Sequence, residues 1–273
     1  MEEKAEAGSI SANDARTSQA LFFFIRKILE RAEEAGDAQL EEQQERFNDF
    51  GFVRIGVEMT GANDHALLDA AFRACIAGVK GGNAVVQDGL LDHFTSHNER
   101  FFVNLKNIMS VAIMNVRREN QQHAQLELLG RDGDPMGAKL VEMSRDKRSP
   151  MYSLRHVDVI IYLLQQLCEG HHFGLQNYLR FQFDNLVSIN MPKMIMELAS
   201  EATSVINNSN IKVISRTFSF FTEICQGPCP DNQAELLRGG ICTLITRVFR
   251  LRTRAVVAAA AATTSTGDQQ QQP

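Results

Sequence analysis

Two apolar helical patterns, each ending in a glycine just past a glutamate, constrain this chain more than any other feature in it. In the first, Leu154, Val157, Ile161, Leu164 and Cys168 recur at three- and four-residue steps. One face of a helix is therefore apolar up to Glu169, and Gly170 supplies the residue that helices favour just past their end. In the second, Ile214, Phe218, Phe221 and Cys225 trace the same kind of stripe, and Gly227-Pro228 stops it shortly after Glu223. Both glutamates are thus expected at helix C-termini, where an anion faces the negative end of the macrodipole and costs about 0.3 to 1 kcal/mol. Two such placements call for a cation nearby.

The rest of the chain reads as more helices joined by tight turns, with no strand signal between them. Residues 1–17 are small and polar and read as a frayed tail. From Ser18 to Ala35, Phe22, Ile25, Ile28 and Leu29 oppose Arg26, Lys27, Glu30 and Glu33, an amphipathic helix ending near Gly36. Its glutamates favour packing on a neighbour over a membrane surface. A polar helix follows from Asp37 to Phe50, and Asn63 or Asp64 caps another that carries Leu67, Leu68, Ala71, Cys75 and Ile76. Further helices are expected from Asn83 to Phe94, Asn98 to about Val116, Tyr152 to Glu169, His172 to Phe183, and Leu186 to Ile206. Pro192 lies inside the last of these and predicts a kink near Asn190. Asn207-Asn208-Ser209-Asn210 reads as a turn, Ile211 to Gln226 as a helix, and Asp231 as the cap of a final helix carrying Leu236 through Val248. The organisation expected is a tail (1–17), a helical segment (18–116), a polar linker (117–150), a second helical domain (151–250) and a low-complexity tail (251–273).

Composition excludes several classes. Six prolines, no tryptophan and a hydrophobic share of 44% favour an all-helical globular chain over a sheet or a disordered one. A net charge of -5 argues against nucleic acid as a partner. Five cysteines, an odd number, read as free thiols in a reducing, cytosolic setting. The longest apolar runs, Leu21–Ile25 and Ala255–Ala262, are too short to cross a membrane.

Three blocks carry a resemblance. Residues 168–182 (CEGHHFGLQNYLRFQ) and 222–233 (TEICQGPCPDNQ) are similar to paired signatures of the homology-associated domain shared by ryanodine receptors and inositol trisphosphate receptors, the intracellular calcium-release channels. Residues 81–102 (GGNAVVQDGLLDHFTSHNERFF) resemble the segment preceding that domain, and the blocks follow the family's order. The resemblance implies an all-α, armadillo-like stack of about ten helices. It implies a non-enzymatic, cytosolic regulatory segment of such a channel, at the cytoplasmic face of an ER-like membrane. Its partners would be other parts or subunits of a tetrameric channel. The matching motif positions, Glu169 and Glu223 with His171 and Gln226 beside them, would supply part of a calcium site. A further oxygen would come from elsewhere in the channel, so this chain would hold Ca2+ weakly. CEGHH and GGNAVVQ lean to the ryanodine receptor branch and CQGPC to the other, so the branch stays open.

Elementary electrostatics runs the same way. Two carboxylates about 4 Å apart repel by about 4 kcal/mol at an effective dielectric of 20, which a shared proton or a cation must relieve. Calcium accepts irregular sets of oxygen ligands. On spacing alone, two solvated carboxylates capping separate helices are the better explanation of the pair, and it is the resemblance that turns the reading toward calcium. Other candidates read as structural. Gly81-Gly82-Asn83 lacks the lysine and strand of a phosphate loop. Residues 130–135 (GRDGDP) lack the ligand ladder of an EF-hand. Cys225 and Cys229 have the wrong spacing for a zinc knuckle and read as buried thiols, and Tyr178 and Arg180 as interhelical contacts rather than an anion site. The alternative function is a stand-alone helical scaffold that binds proteins and is indifferent to calcium; an enzyme finds little support.

Overall fold

Capping chemistry sets the helix ends. The computed structural model describes residues 11–62, 64–97, 99–131, 154–204, 206 and 210–250, and all regular structure among them is helical. Helix α1 (Ala12–Ala35) starts at Ser11, whose side chain accepts from the Asp14 amide, and ends at Gly36 with φ 129°. The helix therefore begins inside the stretch expected as a tail, and only residues 1–10 of that tail lie outside the described residues. Helix α2 (Asp37–Asp49) follows as expected, whereas the short α3 (Phe52–Glu58) had no sequence signal of its own. Asp64 caps α4 (His65–Val79) by accepting from the Ala66 and Leu67 amides, as its position suggested. Helix α5 (Ala84–His97) then leads into α6 (Glu99–Arg131).

Helix α6 corrects the linker expected from Arg117. Arg117 pairs with Glu201 at 2.7 Å and Glu197 at 3.2 Å, and the Asn120 side-chain amide donates to the Glu201 carbonyl at 2.9 Å. The polar residues past Val116 are a solvated helix face gripping a neighbour, not a linker; residues 132–150 lie outside the described residues. The next elements are α7 (Leu154–Cys168), α8 (Phe173–Arg180) and α9 (Met191–Ala202). Asn190 is the N-cap of α9, accepting from the Lys193 amide, and Pro192 sits in its first turn. The expected kink is thus a start, because proline's missing N–H costs nothing at a helix N-terminus. Helix α10 (Ile211–Cys225) is as expected, but the final helix is two. In α11 (Pro230–Arg238), Cys229 is the cap residue and Asp231, expected there, falls in the first turn; Gly240 with φ 87° separates it from α12, residues 241–250.

Every third helix packs on its predecessor. Helix α1 lies on α4, α4 on α7, and α7 on α10; α2 lies on α5, α5 on α8, and α8 on α11; α3 touches α6, and α6 packs along α9. This is the connectivity of stacked three-helix units, each contacting its neighbours. The sequence explains who sits inside. Helices α4 and α7 bury residues all round, among them Leu67, Phe72 and Ile76 in one and Val159, Leu163 and Leu167 in the other. A helix apolar on every side must be covered on both flanks. Between the second and third rows an aromatic cluster closes the core: Phe94 stacks on Phe101 at 4.8 Å, and the buried Tyr178 donates its hydroxyl to the Phe94 carbonyl at 3.0 Å. No helix among the described residues is long and apolar enough to cross a membrane.

Candidate functional site at two helix ends

The site is where α7 and α10 end side by side. Past Cys168 the chain makes one tight turn, Glu169–His171, in which Gly170 has φ 71° and His171 φ 64°. His171 is the only non-glycine residue with a positive φ among those described, a conformation that costs on the order of 1 kcal/mol. It turns the chain back into α8, where His172 is the cap: its Nδ1 accepts from the Leu175 amide and its Nε2 lies 3.0 Å from Asp88 on α5. Helix α10 ends alongside, with Gly227 at φ 73°, and a Cβ at Gly227 would stand 3.5 Å from the His171 Cβ. Gln226 reaches toward Glu223 at 3.5 Å. All four residues singled out from the sequence are thus brought to one place.

Buried glutamines hold that place together. Gln87 of α5 donates to the Leu167 and Glu169 carbonyls at 3.1 and 2.8 Å, and Gln176 of α8 donates to the Glu223 and Gln226 carbonyls at 2.7 and 3.1 Å. Each thereby satisfies carbonyls that a helix C-terminus leaves orphaned. Gln44 of α2 does the same for α4, through the Ala77 and Lys80 carbonyls at 3.0 and 2.9 Å. One device therefore recurs at three successive junctions. Sequence reasoning missed it, because a lone glutamine on an apolar stripe has no distinctive spacing. The glycine pair at residues 81–82 also acquires a reason: a Cβ at Gly82 would meet the Glu169 carbonyl oxygen at 2.8 Å. That turn presses against the site and cradles no phosphate.

The electrostatics follows from this crowding. Burial pushes the Glu223 carboxyl above the ordinary carboxylate range, the neighbouring Glu169 pushes it further, and His171 partly offsets them. Gln166 donates to the Glu169 carboxylate, while its own Oε1 is buried without a hydrogen-bond partner, an acceptor that a cation or a water would satisfy. Glu169 also acts on Lys80, whose first commitment is to Glu33. The thiols around the site are quiet. Burial raises Cys168, Cys225 and Cys229, and Cys229 contacts the Gln176 side-chain oxygen. Arg180 makes the interhelical contacts expected of it, to Asn232 at 2.9 Å and Asp231 at 3.1 Å. Chemically, two carboxylates and a side-chain amide are of the kind that suits a hard cation held by oxygen, whereas the His171 imidazole offers nitrogen and does not. As they stand, Glu169, Glu223 and His171 are not close enough to hold a metal ion between them: among the described residues no group of three or more His, Cys, Asp or Glu side chains is so placed.

Residues 152–249, from the start of α7 through α12, match the family model described as RyR and IP3R Homology associated. The match covers residues 152–249 and no more of the chain, so it is a likeness of that segment to the segment the family model describes. A similar protein is the inositol 1,4,5-trisphosphate receptor itr-1 of Caenorhabditis elegans, 39% identical over 101 residues. The match takes in 34% of this chain and only 3% of that receptor. Residues 81–102 precede the matched segment, and the structure packs their Gly82 and Gln87 directly against its Glu169.

Proposed function

We propose that this chain is a regulatory segment of an intracellular ligand-gated calcium-release channel, non-enzymatic, and that Glu169, Glu223, His171 and Gln226 form its share of a calcium-sensing site. The observation that carries the reading is the mutual placement of the two carboxylates, with Glu223 held above its ordinary protonation range beside Glu169. A divalent cation is the simplest relief for such a pair. Glu169 and Glu223 would supply carboxylate oxygens and Gln226 an amide oxygen, while His171 adjusts the local charge. The remaining ligand would come from another part or subunit of a channel, so calcium would bridge two bodies and favour the arrangement in which they are joined. On this reading the segment works at the cytoplasmic face of an intracellular membrane.

Calorimetric titration of the chain with calcium tests it. Binding is expected in the range of about 0.1 to 1 mM, as for sites with few ligands, and at least about tenfold weaker in Glu169→Gln and in Glu223→Gln. The surface variant Glu197→Gln should bind as the wild type does. Absence of calcium uptake at about 10 mM, or equal uptake by all four proteins, would sink the reading and favour a helical scaffold indifferent to calcium.

A further inference from the structure

The ten residues joining α8 to α9 break the rule that a loop is polar. Phe181, Phe183, Leu186 and Val187 are 55%, 68%, 94% and 57% exposed, four large apolar side chains within seven residues. Isolated exposed apolar residues need no explanation, but a group held together on one loop marks an interaction surface.

This loop is also built to hold its shape. The buried Gln182 accepts from the Ile189 amide at 2.6 Å, donates to the Tyr178 carbonyl, and its own amide donates to the Ser188 hydroxyl at 3.0 Å. The Leu186 amide donates to Glu99 of α6 at 2.6 Å, and the Phe183 ring rests edge-on against Tyr178 at 5.9 Å. A loop whose backbone is fixed before binding loses less entropy on binding, which is how a small patch gains affinity. The loop's surroundings define the partner. Glu99 and Asp184 lie on or against it, and the well-exposed Asp231 lies beside it; the cation next to Phe181 in the chain, Arg180, is already paired with Asp231, and the exposed Arg100 and Lys193 flank the loop. An anionic lipid surface would be repelled by these carboxylates, whereas a cationic partner would be steered toward them.

We propose that the loop from Phe181 to Ile189 is a preformed docking surface for a basic amphipathic helix of a partner protein. The apolar seam of that helix would cover Phe183 and Leu186, and its lysines or arginines would face Glu99, Asp184 and Asp231. A helix fits because its anchors recur at three- and four-residue steps on one side with charges flanking them. The surface is independent of the Glu169 and Glu223 pair and stands whether or not the chain binds calcium.

The test uses the whole chain and a fluorescent peptide of about 18 residues made of leucine and lysine in amphipathic order, with a scrambled isomer of the same composition. Anisotropy titrations at about 0.15 M salt should show the amphipathic peptide binding at least about tenfold tighter than the isomer. The double variant Phe183→Ser with Leu186→Ser should lose that preference, Asp184→Asn should lower affinity several-fold, and Phe50→Ser, which alters an exposed aromatic elsewhere, should change nothing. Leu186→Ser alone, at a side chain 94% exposed, should leave the melting curve unmoved and still weaken the preference, which separates docking from the contact Phe183 makes with Tyr178. Equal binding of both isomers, or binding indifferent to the loop variants, overturns the proposal. So does loop-dependent sedimentation with vesicles of phosphatidylcholine and phosphatidylserine, or a concentration-dependent dimer that the double variant abolishes.

Discussion

The first and last junctions of the row formed by α1, α4, α7 and α10 solve the same backbone problem and differ in charge. At the end of α4, Gln44 closes the carbonyls and the next residue is a cation, Lys80, which reaches back to Glu33 on α1. Gln176 closes the end of α10 in the same way, but the side chain there is Glu223, and its neighbour across the gap is Glu169. The first junction follows the macrodipole rule and the last opposes it. The difference separates architecture from function: the glutamine cap is common to both and belongs to the stack, whereas the acid is something the stack does not need. A charge that costs stability and serves no packing role points to a site.

The sharpest way to break this comparison is to remove the caps. Gln176→Leu and Gln44→Leu each remove the donor shared by two half-buried carbonyls, of which the Glu223 carbonyl keeps the Gln226 amide at 3.3 Å; a carbonyl left unpaired costs about 1 to 3 kcal/mol. Each variant should lose about 3 kcal/mol and melt about 6 to 12 °C lower by circular dichroism. The two losses should be similar, because the caps are equivalent. If Gln176→Leu melts within about 2 °C of the wild type while Gln44→Leu does not, the junctions are not instances of one device.

The parts visible in the sequence and those hidden from it divide along the same line. Helix ends at Gly36, Asp64, Gly170 and Gly227 were legible because each rests on local backbone chemistry. The glutamate pair was legible through its position against the dipole and through the resemblance of the surrounding motifs. Pro192 was misread because proline both breaks a helix and begins one, and only the cap at Asn190 decides between them. The second half of α6 was misread because its anchors, Arg117 and Asn120, answer to Glu197 and Glu201 some eighty residues away. The three capping glutamines stayed hidden for the same reason: what distinguishes them is the neighbouring unit, which no local pattern encodes.

A second variant turns one junction into the other. Glu169→Lys places a cation where α4 has Lys80, removes the repulsion on Glu223, and restores the favourable sign at a helix end. The gain should be about 0.3 to 1 kcal/mol, a rise in melting temperature of about 1 to 3 °C. Lys80→Glu, the reverse exchange at the first junction, should lower it by a similar amount. A destabilised Glu169→Lys would mean that Glu169 is structurally required, most directly through Gln166, and that the acids are not a burden the fold carries for a site.

The smallest effect is the pH dependence, and its sign distinguishes the junctions. Glu223 has a raised pKa in the folded chain, so the folded state favours its protonated form more than the unfolded state does. The resulting stabilisation is fully present below the ordinary carboxylate range, near pH 4, and is lost as pH rises through the raised value. Glu223→Gln mimics the protonated acid at every pH. It should melt with the wild type in the acid range and up to about 2 °C above it at pH 7, and added calcium should narrow that gap by relieving the charge. Lys80 also has a raised pKa, chiefly through its hydrogen bond to Glu33, so its contribution persists below the ordinary lysine range and is lost only as pH climbs through its raised value. Between pH 4 and pH 8 the lysine's charge at the first junction is therefore constant while the last junction weakens. A Glu223→Gln difference that is flat across that interval would remove the electrostatic strain from which the calcium reading starts.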